Sequence, residues 1–261
     1  MAGRRGGQIP VLSLVVGSYT FVFVSLRSLL AATWPWMGVV YVAGRAAGSE
    51  AAVEGGLSSG LWISIITNLV ASTAVSVLCH RIIILGEWPA GLRSVHFGRR
   101  EIYYLLALLG FSFIVVLMMS LFAGLIRVAG LESGGFGASV VVIAALALYA
   151  RVSLAFPDLA VTEGRVPWHV WHASHGQTIR IIMGVALAGL PPALVVQQLV
   201  VGAAILHGQG MVEIAAAIDF LGLFVTFLAM MSSAAFLSFV YKLLILGGPL
   251  PVVPSPEGED G

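Results

Sequence analysis

Charge is what this chain has least of. Only 10% of its 261 residues are Asp, Glu, Lys or Arg, where a soluble domain carries about 25%. The 13 basic and 12 acidic residues leave a net charge of +1. No basic run is long enough for a nucleic-acid patch, so no nucleic-acid partner is expected. Cys79 is the sole cysteine, which excludes an internal disulfide and a cysteine-based zinc ribbon. Catalytic signatures are missing too: there is no P-loop, no HExxH, no GxSxG and no paired carboxylates in one pocket-forming segment. The chain is expected to be non-enzymatic and to need no cofactor. No Asp, Glu, Lys or Arg sits at the centre of a long apolar run, which argues against a proton relay.

Apolar residues are what it has in excess. They make up 59% of the chain, and the mean hydropathy is +1.01. One soluble core cannot absorb that much apolar surface, so lipid must solvate part of it. A membrane-length window finds six runs of about 20 residues or more, at 26–44, 60–79, 102–126, 137–156, 179–206 and within 214–246. The last is longer than one span needs, so it should tilt or project. The runs do not alternate apolar and polar residues, so barrel strands are excluded. The expected class is therefore all-α: a bundle of six transmembrane helices with short cytoplasmic interfacial helices.

Residues 1–25 begin like a signal peptide, but no small-x-small cleavage site follows and Arg27 interrupts the apolar run. The segment is expected to be retained. Ile9, Leu12, Val16, Tyr19, Phe23 and Leu26 recur at helical spacing, opposite Ser13, Thr20, Ser25 and Arg27. That pattern fits an interfacial lead-in helix, or the start of one long tilted first span. Residues 1–247 then form one membrane domain. Residues 248–261, rich in Pro and Gly and ending acidic, form a disordered tail.

Counting cations orients the bundle. Arg4, Arg5, Arg27, Arg81, Arg93, Arg99, Arg100, Arg151, Arg165, Arg180 and Lys242 fall on one side; Arg45 and Arg127 alone fall on the other. The positive-inside rule places both termini in the cytoplasm of a bacterial inner membrane. The two longer cytoplasmic loops, 80–101 and 157–178, share a form. Pro89 and Gly98 in one match Pro167 and Gly176 in the other at equal spacing. Each should carry a short surface helix, at 89–97 and 167–175.

Three constellations carry chemistry. The stretch RVPWHVWHASHGQTIR places His169, His172 and His175 at i, i+3, i+6 on a helix, spread over about 120° of its surface. They are weak metal candidates, because no carboxylate or thiol completes the set. Trp168 and Trp171 instead suit headgroup depth, with arginines facing anionic lipid. The expected lipid or partner contacts are thus Arg81, Trp88, Arg93, Arg99, Arg100, Arg151, Arg165, Trp168, Trp171 and Arg180. On the second span, Ser64, Asn68, Ser72 and Ser76 repeat every four residues. Such a small polar stripe ordinarily packs helices together. Lining a solute path is the alternative, with Asn68 as the residue to test. Pro191 and Pro192 remove two ladder donors within the fifth run and should kink or break it. Gln197 and Gln198 stand near enough to satisfy the freed carbonyls. Asp219 is the one acid well inside a run, and it has Arg45 and Arg127 on its side for partners.

The stretch ARVSLAFPDLAVTEGRVPWHVWHASHGQTIRIIMGV resembles uncharacterised six-helix bacterial inner-membrane proteins of the YciC type. It also resembles the membrane domain attached to some glycerophosphoryl diester phosphodiesterases. Arg151, Pro157, Glu163, Gly164 and Ser174 match that pattern in order. The closing FLSFVYKLL is similar to the family's final span, and IPVLSLVVGSYTFVFVSLRSLL to its amphipathic opening. The resemblance implies the six-helix architecture and no catalytic residue. Trp168, Trp171 and the three histidines depart from the pattern. Together these features lead to a membrane-organising protein that contacts lipid, and a protein partner, through its cytoplasmic loops. A small-molecule transporter or channel built on Asn68, the Pro191–Pro192 break, Gln197 and Asp219 is the alternative.

Overall fold

The structure, a computed structural model, describes residues 9–54, 59–88, 97–128, 135–162 and 168–248. The proposed surface helix at 89–97, the C-terminal tail beyond Gly248, and Arg4, Arg5, Arg93 and Arg165 lie outside those residues. All regular structure among the described residues is helical. The helices are α1 (Val11–Val24), α2 (Leu26–Glu54), α3 (Ser59–Leu85), α4 (Arg99–Val128), α5 (Gly135–Val152), α6 (Ala155–Val161), α7 (Trp168–Ala173), α8 (Thr178–Gly208) and α9 (Val212–Tyr241). A π-helical turn, Lys242–Leu246, extends α9.

Among the described residues, four helical segments are long and apolar enough to cross a membrane: Ser59–Leu85, Arg99–Leu121, Thr178–Gly208 and Val212–Leu246. The pair Val11–Val24 and Leu26–Ala47 makes a fifth if its 77° bend lies within one span. The chain has the character of a multi-pass membrane protein. Phe113 on α4 is 68% exposed and Leu121 is 62% exposed, with Leu106, Ile114, Val116 and Leu125 open beside them. A soluble surface rarely shows so continuous an apolar patch, whereas a bilayer wets it at no cost.

The core forms around the α8–α9 hairpin. Gly210, at φ 78°, closes the turn, and the amides of Gly210 and Met211 cap carbonyls of His207 and Leu206. Glycine belongs there because a side chain strains that backbone. Small residues then let the two helices meet. Gly184 lies against the fully buried ring of Phe236, where an added Cβ would overlap the ring. Ala188, Ala203, Ala215 and Ala235 are also buried, as close helix approach in lipid requires.

The first helix bends by 77° into α2, and its packing face is not the stripe read from the sequence. It buries Leu14, Val15, Ser18, Phe21 and Val22 against α8 and α9, and leaves Leu12, Val16 and Phe23 exposed. Phe21 meets Phe239 edge-on at 6.3 Å. The stripe legible in the sequence is therefore largely the outward face, and the packing face lies beside it. α3 packs between α2 and α9, and α6 fills the space between α3 and α4, where Tyr104 and Phe156 meet at 5.1 Å.

Gly184→Ala should lower the thermal unfolding midpoint in detergent, since overpacking a tight core costs about 1–3 kcal/mol. Adding Phe236→Leu should recover part of that loss, a coupling that two independent sites would not show.

Candidate functional site

A polar concavity opens where α2 ends, α3 begins and α8 turns into α9. Its volume is about 720 Å³, within the range of small-molecule sites. Arg45, Ser64, Asn68, His207 and Asp219 line it, with Tyr41 on the wall. The structure thus joins two of the residues proposed for a polar path, Asn68 and Asp219. Arg45 is the partner that Asp219 was expected to have. Its guanidinium stands 3.9 Å from Oδ2 of Asp219, and Nε2 of His207 stands 3.2 Å from the same oxygen. His207 had no periodic signal and was not anticipated. It arrives because the α8–α9 turn folds the last turn of α8 back beside Asp219.

These groups keep hydrogen-bonding capacity unused. Arg45 makes only the long contact to Asp219, and Oδ1 of Asp219 has no protein partner among the described residues. The amide oxygen of Asn68 accepts from Ser72 at 3.1 Å, and its NH₂ has no protein acceptor among the described residues. All three charged or ionisable side chains are partly open, at 44% for Arg45, 36% for Asp219 and 39% for His207. The polar stripe of α3 is therefore divided. Ser64 and Asn68 face the pocket, while Ser76 is buried among helices.

The prolines belong elsewhere and do not break their helix. α8 runs unbroken from Thr178 to Gly208 with Pro191 and Pro192 inside it. Each proline frees the carbonyl four residues earlier, at Leu187 and Ala188. The hydroxyl of Tyr19 on α1 reaches both, at 3.3 Å from Leu187 O and 2.7 Å from Ala188 O. Gln197 and Gln198, proposed for that task, are exposed and take no part in it. Beside the clasp is an apolar hollow of about 310 Å³ lined by Tyr19, Phe23, Pro191, Pro192 and Val195. It does not include Asn68 or Asp219. The broken-helix path expected from the sequence is not assembled.

A second polar group went unnoticed in the sequence. At the opposite end of the bundle, fully buried His80 meets Ser238 at 2.7 Å through Nδ1 and Tyr104 at 3.4 Å through Nε2. Ser238 also donates to the carbonyl of Ala234 at 2.8 Å. The Ser238 hydroxyl thus lies between the carbonyl of Ala234 and the imidazole of His80. Neither cavity described above includes either residue. Nearby, Tyr241 donates to buried Asp158 at 2.6 Å, and Lys242 donates to Ile83 O at 3.2 Å. These contacts tie α3, α4, α6 and α9 together.

The loop residues are only partly described. The side chains of Trp168 and His169 lie outside the described residues, and among those described no group of three or more His, Cys, Asp or Glu is placed to hold a metal. α7 ends at Ala173, and Gly176 at φ 79° follows, so the expected short helix is present at 168–173. Arg151 lies over the ring of Trp171, 5.6 Å from its centroid. Arg180 bonds Gln177 at 3.0 Å, and Arg81 pairs with Glu87. Trp88 is half-exposed, with Phe21 at 6.5 Å.

Tyr19→Phe should lower stability by about 1 kcal/mol, the usual worth of a hydrogen bond whose acceptors are left without a donor. Gln197→Ala should leave the unfolding midpoint unchanged; equal losses in the two variants would mean that Tyr19 is not the group that caps the prolines. Comparison with family models, with curated proteins and with solved structures gives no match to this chain.

Proposed function

We propose that this chain is a non-enzymatic, six-span inner-membrane protein that binds a small polar solute in the pocket of Arg45, Asn68, His207 and Asp219. Transport or sensing of that solute is the role such a site serves. The carrying observation is the unused hydrogen-bonding capacity of both signs in one concavity. Surface ion pairs that serve only stability gain little and gather no such lining. The span count rests on the four qualifying segments, on α2 with its bent lead-in α1, and on α5, whose 18 residues are near the minimum length for a span. The distribution of cations supports cytoplasmic termini, which puts the pocket on the periplasmic side. This reading keeps the six-helix architecture that the sequence resemblance implies.

Water access and orientation can be checked together. Cys79 is buried and is the only thiol to remove. In a Cys79→Ala background, Asn68→Cys should react with a membrane-impermeant maleimide applied from the periplasmic face of intact spheroplasts. Labelling only after the cytoplasmic face is exposed would reverse the orientation. No labelling from either face would remove the open pocket.

A second reading has an observation of its own. Stacking of Arg151 on exposed Trp171 makes an amphipathic plate at the cytoplasmic end, suited to anionic headgroups. In this reading the protein organises lipid or a partner through residues 80–101 and 157–178. Trp168→Ala combined with Trp171→Ala should then reduce the phosphatidylglycerol retained in native mass spectra. Unchanged retention would remove the loop reading and leave the pocket reading intact.

A further inference from the structure

The charge arrangement in the pocket selects among solutes. We infer that the site takes a zwitterion, an ammonium and an acid group on one short molecule. The inference rests on the solute-binding reading above.

Arg45 and Asp219 come from different helices, α2 and α9, and approach no closer than 3.9 Å. That is a loose pair, with each partner a third to nearly a half exposed. It costs little to part. A ligand's acid group can take the guanidinium, which offers donors in a planar fork. The ligand's ammonium can then take Asp219, whose Oδ1 has no partner among the described residues. Asn68 adds neutral donors from α3, and His207 continues to hold Oδ2.

Single-charge ligands fit less well. An anion on Arg45 pulls it from Asp219 and adds a second negative charge beside that carboxylate. A cation on Asp219 does the converse to Arg45. In this partly open site leaving either charge uncompensated forfeits the modest attraction of the pair. A zwitterion exchanges one internal pair for two crossed pairs and leaves the net charge of the site unchanged. A neutral solute leaves the pair closed and gains neither charged contact.

Two sources carry this chemistry: a free amino acid, and the headgroup of phosphatidylethanolamine reaching in from the outer leaflet. The full chain, purified in detergent, would be titrated by calorimetry with serine, glycerophosphoethanolamine, propionate and propylamine. In parallel, native mass spectra would be taken from nanodiscs of mixed phosphatidylethanolamine and phosphatidylglycerol. Serine or glycerophosphoethanolamine should bind at least tenfold more tightly than either singly charged probe. Arg45→Gln and Asp219→Asn should each weaken that binding at least tenfold. Tight serine binding identifies a soluble ligand. Retained phosphatidylethanolamine that glycerophosphoethanolamine displaces and serine does not identifies the lipid. Propionate or propylamine binding as tightly as the zwitterions would overturn the zwitterion assignment while the pocket stands. No binding by any probe, with no retained phosphatidylethanolamine, would overturn the pocket as well. The ranking of probes on the unaltered chain decides the question even if the charge variants fail to fold.

Discussion

Inside a bilayer a polar group must find its partner within the protein, because lipid tails offer none. The Tyr19 clasp shows this constraint at work. Two consecutive prolines in α8 free two carbonyls, and one phenol from α1 answers both. Much of the packing follows. To deliver that hydroxyl, α1 turns back at Ser25 and lies against α8 and α9 with Gly17 near the ring of Phe239. Leu187 is 187 − 178 = 9 residues from the start of α8, about 14 Å at the helical rise of 1.5 Å per residue. The lead-in helix therefore reaches well along the bundle rather than resting at its end. α8 stays continuous because its missing ladder bonds are replaced from outside.

The same constraint has opposite solutions at the two ends. At the end bearing Lys242, buried polar groups meet across helices. His80 contacts Ser238 and Tyr104, and Tyr241 donates to Asp158. Such a network is rigid and specifies how α3, α4, α6 and α9 register. At the other end Arg45, Asp219 and His207 remain partly open and only partly bonded. Buried polar chemistry without access fixes a fold, whereas open polar chemistry with unused bonds is available to a ligand. The two ends therefore differ in access: polar groups are buried at the first and partly open at the second.

Much of this fold was legible because hydropathy is a one-dimensional signal. The runs at 60–79, 102–126, 179–206 and 214–246 correspond to α3, α4, α8 and α9, and the start at residue 26 matches α2. What the sequence hides is which face meets which helix. Along α1, exposed Leu12, Val16 and Phe23 share the apolar stripe with half-buried Tyr19, and lipid rewards apolar residues as well as protein does. Periodicity therefore cannot separate the packing face from the outward one. The serine stripe of α3 likewise cannot announce that its first half opens on Asp219 and its second half packs. His80 and Asp158 carry no pattern at all. Each is a single polar residue made safe by a partner distant in the chain, Ser238 at 158 positions and Tyr241 at 83.

The positions of the charges also explain why Asp219 is tolerated. It lies 219 − 212 = 7 residues into α9, about two helical turns from its start. α8 and α9 are longer than a bilayer requires, at 31 and 30 residues, so their shared end extends toward the headgroups. Arg45 lies late in α2 and His207 in the last turn of α8, so both reach the same level from neighbouring helices. An acid there needs no deep burial, yet apolar walls at Val40, Val212 and Leu223 keep bulk water from screening it fully. In such a half-shielded site a charge contact is stronger than at an open surface, without the full desolvation cost of a buried one. That intermediate exposure leaves the Arg45–Asp219 pair formed but weakly held, at 3.9 Å.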